Sequence, residues 1–434
     1  MARKPQFKKT VFPNGLTVLS ERHPEFRSLS VGVWVKVGTR HENAKEVGVS
    51  HFLEHMVFKG TKKRTALDIA REVDRVGGDF NAFTSRENTC FHVLLLDRDI
   101  GLGLDILSDV ILNSTFEAEE LERERKVILQ EISMVDESPE ELAHDIFYEL
   151  FYPNHGIGRA ILGTEKSINS LKRAEVLKYF YTHYRPDQIV ISVAGNVTHQ
   201  SVIKKMAPLI KKKWPGRPTK LPKPTLDSLN APESCSGRWW IDRSTEQCHV
   251  VWAVPGPTYT SEDRFAAFLL NVYLGGGMSS TLFQEIREKN GLAYTVYSCL
   301  APYTDTGIFS IYAATNASQV PLCLKLVEEC VNHVKAKPLT KKELETIKDN
   351  LKGTILLSSD SAESRMSSIA RNEMIFGRYV SVEEVCKQVD AVTPADLQRL
   401  AHKLFADDER SILVLGPKPA QSALKKMGFT LVKR

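Results

Sequence analysis

The sequence predicts an α+β protein made of two homologous two-layer domains, each a largely antiparallel sheet with helices packed on one face. Three observations lead there. Segments with hydrophobic period two alternate with segments of helical period. The order of these segments in the first half recurs in the second, as an internal duplication requires. A Pro-rich, aperiodic stretch, WPGRPTKLPKPTLDSLNAPES at 214–234, separates the copies as a linker should. Domains are therefore expected at 1–213 and 235–434, joined by 214–234.

The elements follow in order. KTVFPNGLTVLSERHP holds two short strand-like runs around Pro-Asn-Gly, a turn signal that predicts a hairpin. SLSVGVWVKVGTRHE alternates apolar with small or polar residues and reads as a strand with one buried face. From Gly48 to Phe58, and again in TALDIAREVDRVGG at 65–78, apolar residues return at helical spacing, and Gly77-Gly78 stops the second helix. DFNAFTSRENTCFHVLLL reverts to strand composition, and RDIGLGLDILSDVILN and EAEELERERKVILQEISMV are helical. In the second half CHVVWAVPGP takes the place of the strand near residue 30. DRFAAFLLNVYLGGG and MSSTLFQEIREKNG take the places of the two helices, and LAYTVYSCLAPYTDTGIFSIYAAT that of the strands after Gly77-Gly78.

Composition narrows the function classes. At 434 residues and 42% hydrophobic content the chain can bury a large core. A net charge of +5 on 58 basic and 53 acidic residues gives no nucleic-acid signature. Runs such as KKELETIKDNLK read as solvated helix faces. No stretch approaches the roughly 18 apolar residues of a membrane span, and the start lacks the continuous apolar core of a signal peptide. The seven cysteines are scattered and never form CxxC, which fits free thiols in a reducing compartment. A cytoplasmic location is the simplest expectation, with an organellar matrix as the alternative.

The chemistry concentrates in HFLEHMVFKG, residues 51–60. Residues three and four apart share a helix face, so His51, Glu54 and His55 project together. Two imidazoles one turn apart can hold one Zn²⁺, and the carboxylate between them can serve as a general base for hydrolysis. This H-x-x-E-H order is the reverse of the H-E-x-x-H arrangement and meets the same one-face requirement. A catalytic zinc takes three protein ligands and an open position. Spacing alone leaves the third open among Glu122, Glu124, Glu131, Asp136 and Glu137, all on or near one charged helix.

GVSHFLEHMVFKGT, GGDFNAFTSRENT, ERKVILQEI and LGGGMSSTLFQEIREKNGLAYTVYS, in that order, resemble the inverzincin peptidases of the pitrilysin and mitochondrial-processing-peptidase family (M16), particularly its short bacterial members. The resemblance runs through essentially the whole chain. It implies His51, His55 and Glu131 as ligands of one zinc per chain, Glu54 as the base, and Glu124, seven positions before Glu131, as a supporting carboxylate. It further implies that Asn81 and Ala82 offer main-chain groups to an extended peptide, and that Arg287 and Tyr294 reach the scissile carbonyl. The second half has no H-x-x-E-H of its own. Larger family members close four such units around a chamber, so the resemblance implies a homodimer of this two-unit chain. It would be a zinc endopeptidase of unfolded peptides or presequence-like segments, Arg287 and Tyr294 of one subunit completing the other's site. The competing expectation is a non-catalytic assembly subunit of the same fold; such subunits typically lack motif residues that are all present here.

Overall fold

The structure, a computed structural model, describes residues 6–211, 230–406 and 410–433. Most of the expected linker at 214–234 lies outside these residues. The first half runs β1 (Gln6–Val11), β2 (Thr17–Arg22), β3 (Ser28–Val35), α1 (Val49–Val57), α2 (Ala66–Asp74), β4 (Asp79–Thr84), β5 (Thr89–Leu96), α3 (Ile100–Asn113), α4 (Ala118–Glu137), α5 (Pro139–Phe151), α6 (Glu165–Ser170), α7 (Arg173–His183), β6 (Ile189–Gly195) and α8 (His199–Lys211). The second runs β7 (Arg238–Asp242), β8 (Cys248–Pro255), α9 (Arg264–Gly275), a π-helical segment Phe283–Lys289, β9 (Ala293–Pro302), β10 (Gly307–Thr315), α10 (Val320–Ala336), α11 (Lys341–Ser358), α12 (Ala362–Phe376), α13 (Val382–Ala391), α14 (Pro394–Leu404), β11 (Ser411–Gly416), α15 (Gln421–Lys426) and β12 (Thr430–Leu431).

Strand pairing, which the sequence did not disclose, shows the duplication directly. One six-stranded sheet has the order β1-β2-β6-β3-β5-β4 and the other β12-β7-β11-β8-β10-β9. Setting β2, β6, β3, β5 and β4 against β7, β11, β8, β10 and β9 superposes the two orders. The hydrogen-bond senses agree as well: β2 with β6 and β7 with β11 are parallel, and the three pairings beyond them are antiparallel in both. The expected β1–β2 hairpin forms around the Pro-Asn-Gly turn.

The compact units exchange segments. One comprises residues 1–134, 159–230 and 358–380, the other 135–158, 231–357 and 381–434. In the first unit, helices α1, α3 and α7 cover one sheet face through Leu29, Val31, Val33, Phe52, Leu53, Met56, Leu107 and Tyr179. The opposite face, expected to be open, is covered by α12, whose Met366, Ile369 and Ala370 pack on Leu19, Trp34, Cys90 and Val190. This explains why β3 is buried on both sides although its sequence alternates. Its small residues admit the helix: a Cβ at Gly32 would lie 2.3 Å from Met366 Sδ and 2.7 Å from Trp34 Nε1. The second unit repeats the device with α5, whose Leu142, Ile146, Phe147 and Phe151 pack on Val251, Ala253, Tyr312 and Leu413. All seven cysteines are free, and among the described residues no helix is long and apolar enough to cross a membrane.

Candidate metal centre

Helix α1 is built to start at one place. Gly48, its N-cap, has φ of 89° and cannot readily be replaced by an L-residue. No local Ser, Thr, Asp or Asn caps it. The carboxylate of Glu42 does so instead, accepting from Gly48 N–H (2.8 Å) and Ser50 N–H (2.8 Å). The helix then buries Val49, Phe52, Leu53, Met56 and Val57 and turns His51, Glu54 and His55 to its other side.

Helix α4 supplies the facing carboxylates. Glu131 Oε2 lies 3.7 Å from His51 Nε2 and 3.5 Å from His55 Nε2. Those gaps are too long for hydrogen bonds. They resemble the spacing of about 3.4 Å between ligand atoms on a tetrahedral zinc with bonds near 2.1 Å. The three ligand atoms lie within 4.8 Å of one another, and among the described residues this is the group of His, Cys, Asp and Glu that could hold an ion. Glu131 Oε2 is buried without a hydrogen-bond partner, an arrangement that is costly unless a cation answers it. The residues therefore fit a divalent metal.

Tautomer and charge favour the same use. Glu124 Oε2 accepts from His55 Nδ1 at 3.0 Å, and Lys59 Nζ donates to Glu124 Oε1 at 2.7 Å. An ionised carboxylate can only accept, so His55 carries its proton on Nδ1 and leaves the Nε2 lone pair facing Glu131. Burial, reinforced by His55, pushes the His51 imidazole down to about 3, so it stays neutral. Burial works against protonation of His55 too, but the Glu124 bond and the charges of Glu131, Glu124 and Glu54 outweigh it and raise its pKa. Burial raises Glu54, opposed by its hydrogen bond from Thr84 and by His55. A carboxylate so destabilised is a better proton acceptor than an exposed one.

Of the carboxylates left open by spacing, Glu124 and Glu131 face the histidines. Glu122 pairs instead with Arg125, and Asp136 and Glu137 lie at the end of α4. Strand β4 is a sheet edge. Ser85 N–H donates to Asn88 C=O in the β4–β5 hairpin, and antiparallel alternation then assigns the peptide groups of Phe83 and Asn81 to β5. Those of Phe80, Ala82 and Thr84 face outward. Ala82 N–H is met by Asn81 Oδ1 at 2.8 Å. Thus Ala82 presents its main chain at the free edge, whereas Asn81 contributes its side chain there because its own peptide group belongs to the ladder. In the second unit Arg287 and Tyr294 come together: the guanidinium lies 4.4 Å from the Tyr294 ring centroid and Arg287 Nη1 donates to Tyr294 C=O at 3.0 Å. Tyr294 is 76% exposed.

Three residues escaped the sequence reading. Lys59 stands four positions after His55, a helical interval that could have flagged it. Thr84 Oγ1 donates to Glu54 Oε2; its parity with Ala82 in a strand was the available signal. Glu42 gave none, since its contact with α1 arises across a loop.

Residues 17–165 match the family model described as "Insulinase (Peptidase family M16)", and residues 170–351 that described as "Peptidase M16 inactive domain". The chain is 38% identical to a Bacillus subtilis protein described as "Uncharacterized zinc protease YmxG", over 94% of this chain and 98% of that one. It is 35% identical to an "Uncharacterized zinc protease" of Rickettsia bellii, over 95% and 98%. Among solved structures, a protease from Helicobacter pylori superposes with a TM-score of 0.87 at 23% identity, covering 95% of this chain and 100% of that one, which shows a shared fold.

Proposed function

The chain belongs to peptidase family M16, and on that premise we propose that it is a zinc-dependent endopeptidase acting on unfolded peptides or presequence-like segments. The observation that carries the reading is the convergence of His51 Nε2, His55 Nε2 and the unpartnered Glu131 Oε2, with Glu54 one turn from His51 on the same helix.

His51, His55 and Glu131 would hold the metal, one ion per chain. Bound zinc supplies a Lewis acid that polarises a carbonyl and acidifies water. The chain's own residues do the rest. Glu54 accepts the proton of the attacking water on its carboxylate and returns it to the leaving amine. Glu124 fixes the His55 tautomer. The outward main-chain groups of Ala82 and Thr84 pair with an extended substrate as an added strand, and Asn81 Oδ1, which occupies Ala82 N–H, gives way to a substrate carbonyl. Arg287 and Tyr294 donate to the developing oxyanion. Because each chain carries one ligand set, a homodimer enclosing a chamber is the assembly this reading favours.

The test pairs wild type with Glu54→Gln on a mixed peptide library, each with and without chelator. Wild type should cut peptides and stop when its metal is removed. Glu54→Gln should retain zinc and lose roughly 10²- to 10⁴-fold in kcat, the usual worth of a positioned base. Full turnover by that variant would sink the mechanism, and a wild type that cuts nothing would point to the assembly-subunit alternative.

A further inference from the structure

We propose that Thr84 is a positioning residue for the reaction, orienting the Glu54 carboxylate from the strand that receives the substrate. This rests on the peptidase reading above. Side chains along β4 alternate: Asp79, Asn81 and Phe83 are exposed, and Phe80, Ala82 and Thr84 are half-buried. The half-buried set lies along α1. Phe80 packs against Phe58, ring centroids 4.7 Å apart and planes tilted by 50°, and Thr84 Oγ1 donates to Glu54 Oε2. Strand and helix thus run past each other, with residues 80 and 84 opposite 58 and 54. Thr84 is the hydrogen-bond partner of the Glu54 side chain among the described residues, so it decides which way that carboxylate points.

The geometry is stiff where it needs to be. A β-branched side chain has few χ1 options in a strand. The hairpin beyond Thr84 is held by Thr39 N–H on Ser85 C=O (3.2 Å), Arg40 N–H on Arg86 C=O (2.9 Å) and the ion pair of the buried Arg40 with Glu87. With Oε2 engaged by the hydroxyl, Oε1 is the oxygen left to take a proton. Because the peptide group of Thr84 faces the free edge, one residue sets both the height of the base and the register of a docked peptide.

Thr84→Val keeps shape and branching but removes the donor; Thr84→Ser keeps the donor. Thr84→Val should bind zinc as wild type does, keep KM within about twofold, cut at the same peptide bonds by mass spectrometry, and lose roughly tenfold to a hundredfold in kcat, the range for a lost hydrogen bond to a charged group. Thr84→Ser should recover most of that loss. A crystal structure of Thr84→Val should show the Glu54 carboxylate turned from its present position. Wild-type kcat in Thr84→Val, a loss confined to KM, a shifted cleavage map or loss of zinc would each overturn the proposal. Were wild type itself to lack chelator-sensitive turnover, the peptidase reading would fail. The crystal structure would then decide this inference alone, with an unmoved Glu54 overturning it.

Discussion

Glu124 shows how one side chain's worth depends on its neighbours. It is 5% exposed, a position no isolated carboxylate should occupy ionised. Burial does push its pKa up, but the bonds from His55 and Lys59 overcome that and hold it below its ordinary value. Its negative charge makes the His55 imidazole a stronger donor to a metal. Glu124→Gln should therefore weaken zinc binding by roughly 10- to 100-fold, read by competition with a chromophoric chelator. Unchanged affinity would mean that His55 needs no orienting partner. Sequence spacing put Glu124 on the right helix face. It could not separate Glu124 from Glu122, because only the packing of α4 on α1 decides which carboxylate meets an imidazole and which meets Arg125.

At the scale of elements, α12 is fastened to its sheet by a buried ion pair. Arg365 makes two bonds to Glu21 on β2, at 2.8 and 2.9 Å, and Tyr379 adds a third at 2.6 Å. Burial pushes Glu21 up, but His23, Arg365 and Tyr379 together hold it at about 2, against an ordinary value of 4.5. A carboxyl depressed on folding adds stability that is complete above pH 4.5 and drains away as pH falls toward 2. The shift corresponds to about 3 kcal/mol. Urea unfolding of wild type and Arg365→Met between pH 5 and 2.5 isolates this contribution. Arg365→Met should cost about 3 kcal/mol at neutral pH, since it strands a buried charge, and should lose the acid-side decline that the pair produces. Parallel pH curves for the two proteins would show that the pair does not fasten the helix. Nothing in the sequence near Glu21 announces a partner more than three hundred positions away. Gly32 was the one local hint that something packs close against β3.

For the whole molecule, the exchange of α5 and α12 makes the two sheets depend on each other's halves of the chain. The first unit's outer sheet face, bearing Leu19, Trp34 and Val190, is covered by residues beyond 358, so residues 1–213 alone would expose it to solvent. The proposed homodimer belongs to this scale too. If Arg287 and Tyr294 complete the site of a partner subunit, mixing Glu54→Gln with Arg287→Ala protein should restore part of the activity each lacks. After subunit exchange has been verified by mass spectrometry, a quarter of wild-type activity is the rough ceiling, because only mixed dimers hold one intact site. No recovery would mean that the site is completed within a single chain.

The sequence by itself determined the periods of the elements, their duplicated order, and the placing of His51, Glu54 and His55 on one helix face. Those are local consequences of 3.6- and 2-residue repeats, written within a few turns of chain. The tertiary structure alone decided which strands pair, which helices cross to the other sheet, and which of several helical carboxylates faces the histidines. It also decided that Thr84 reaches Glu54 and that Glu42 caps α1. Each of these joins residues brought together by packing, and periodicity carries no record of what lies on the far side of a contact.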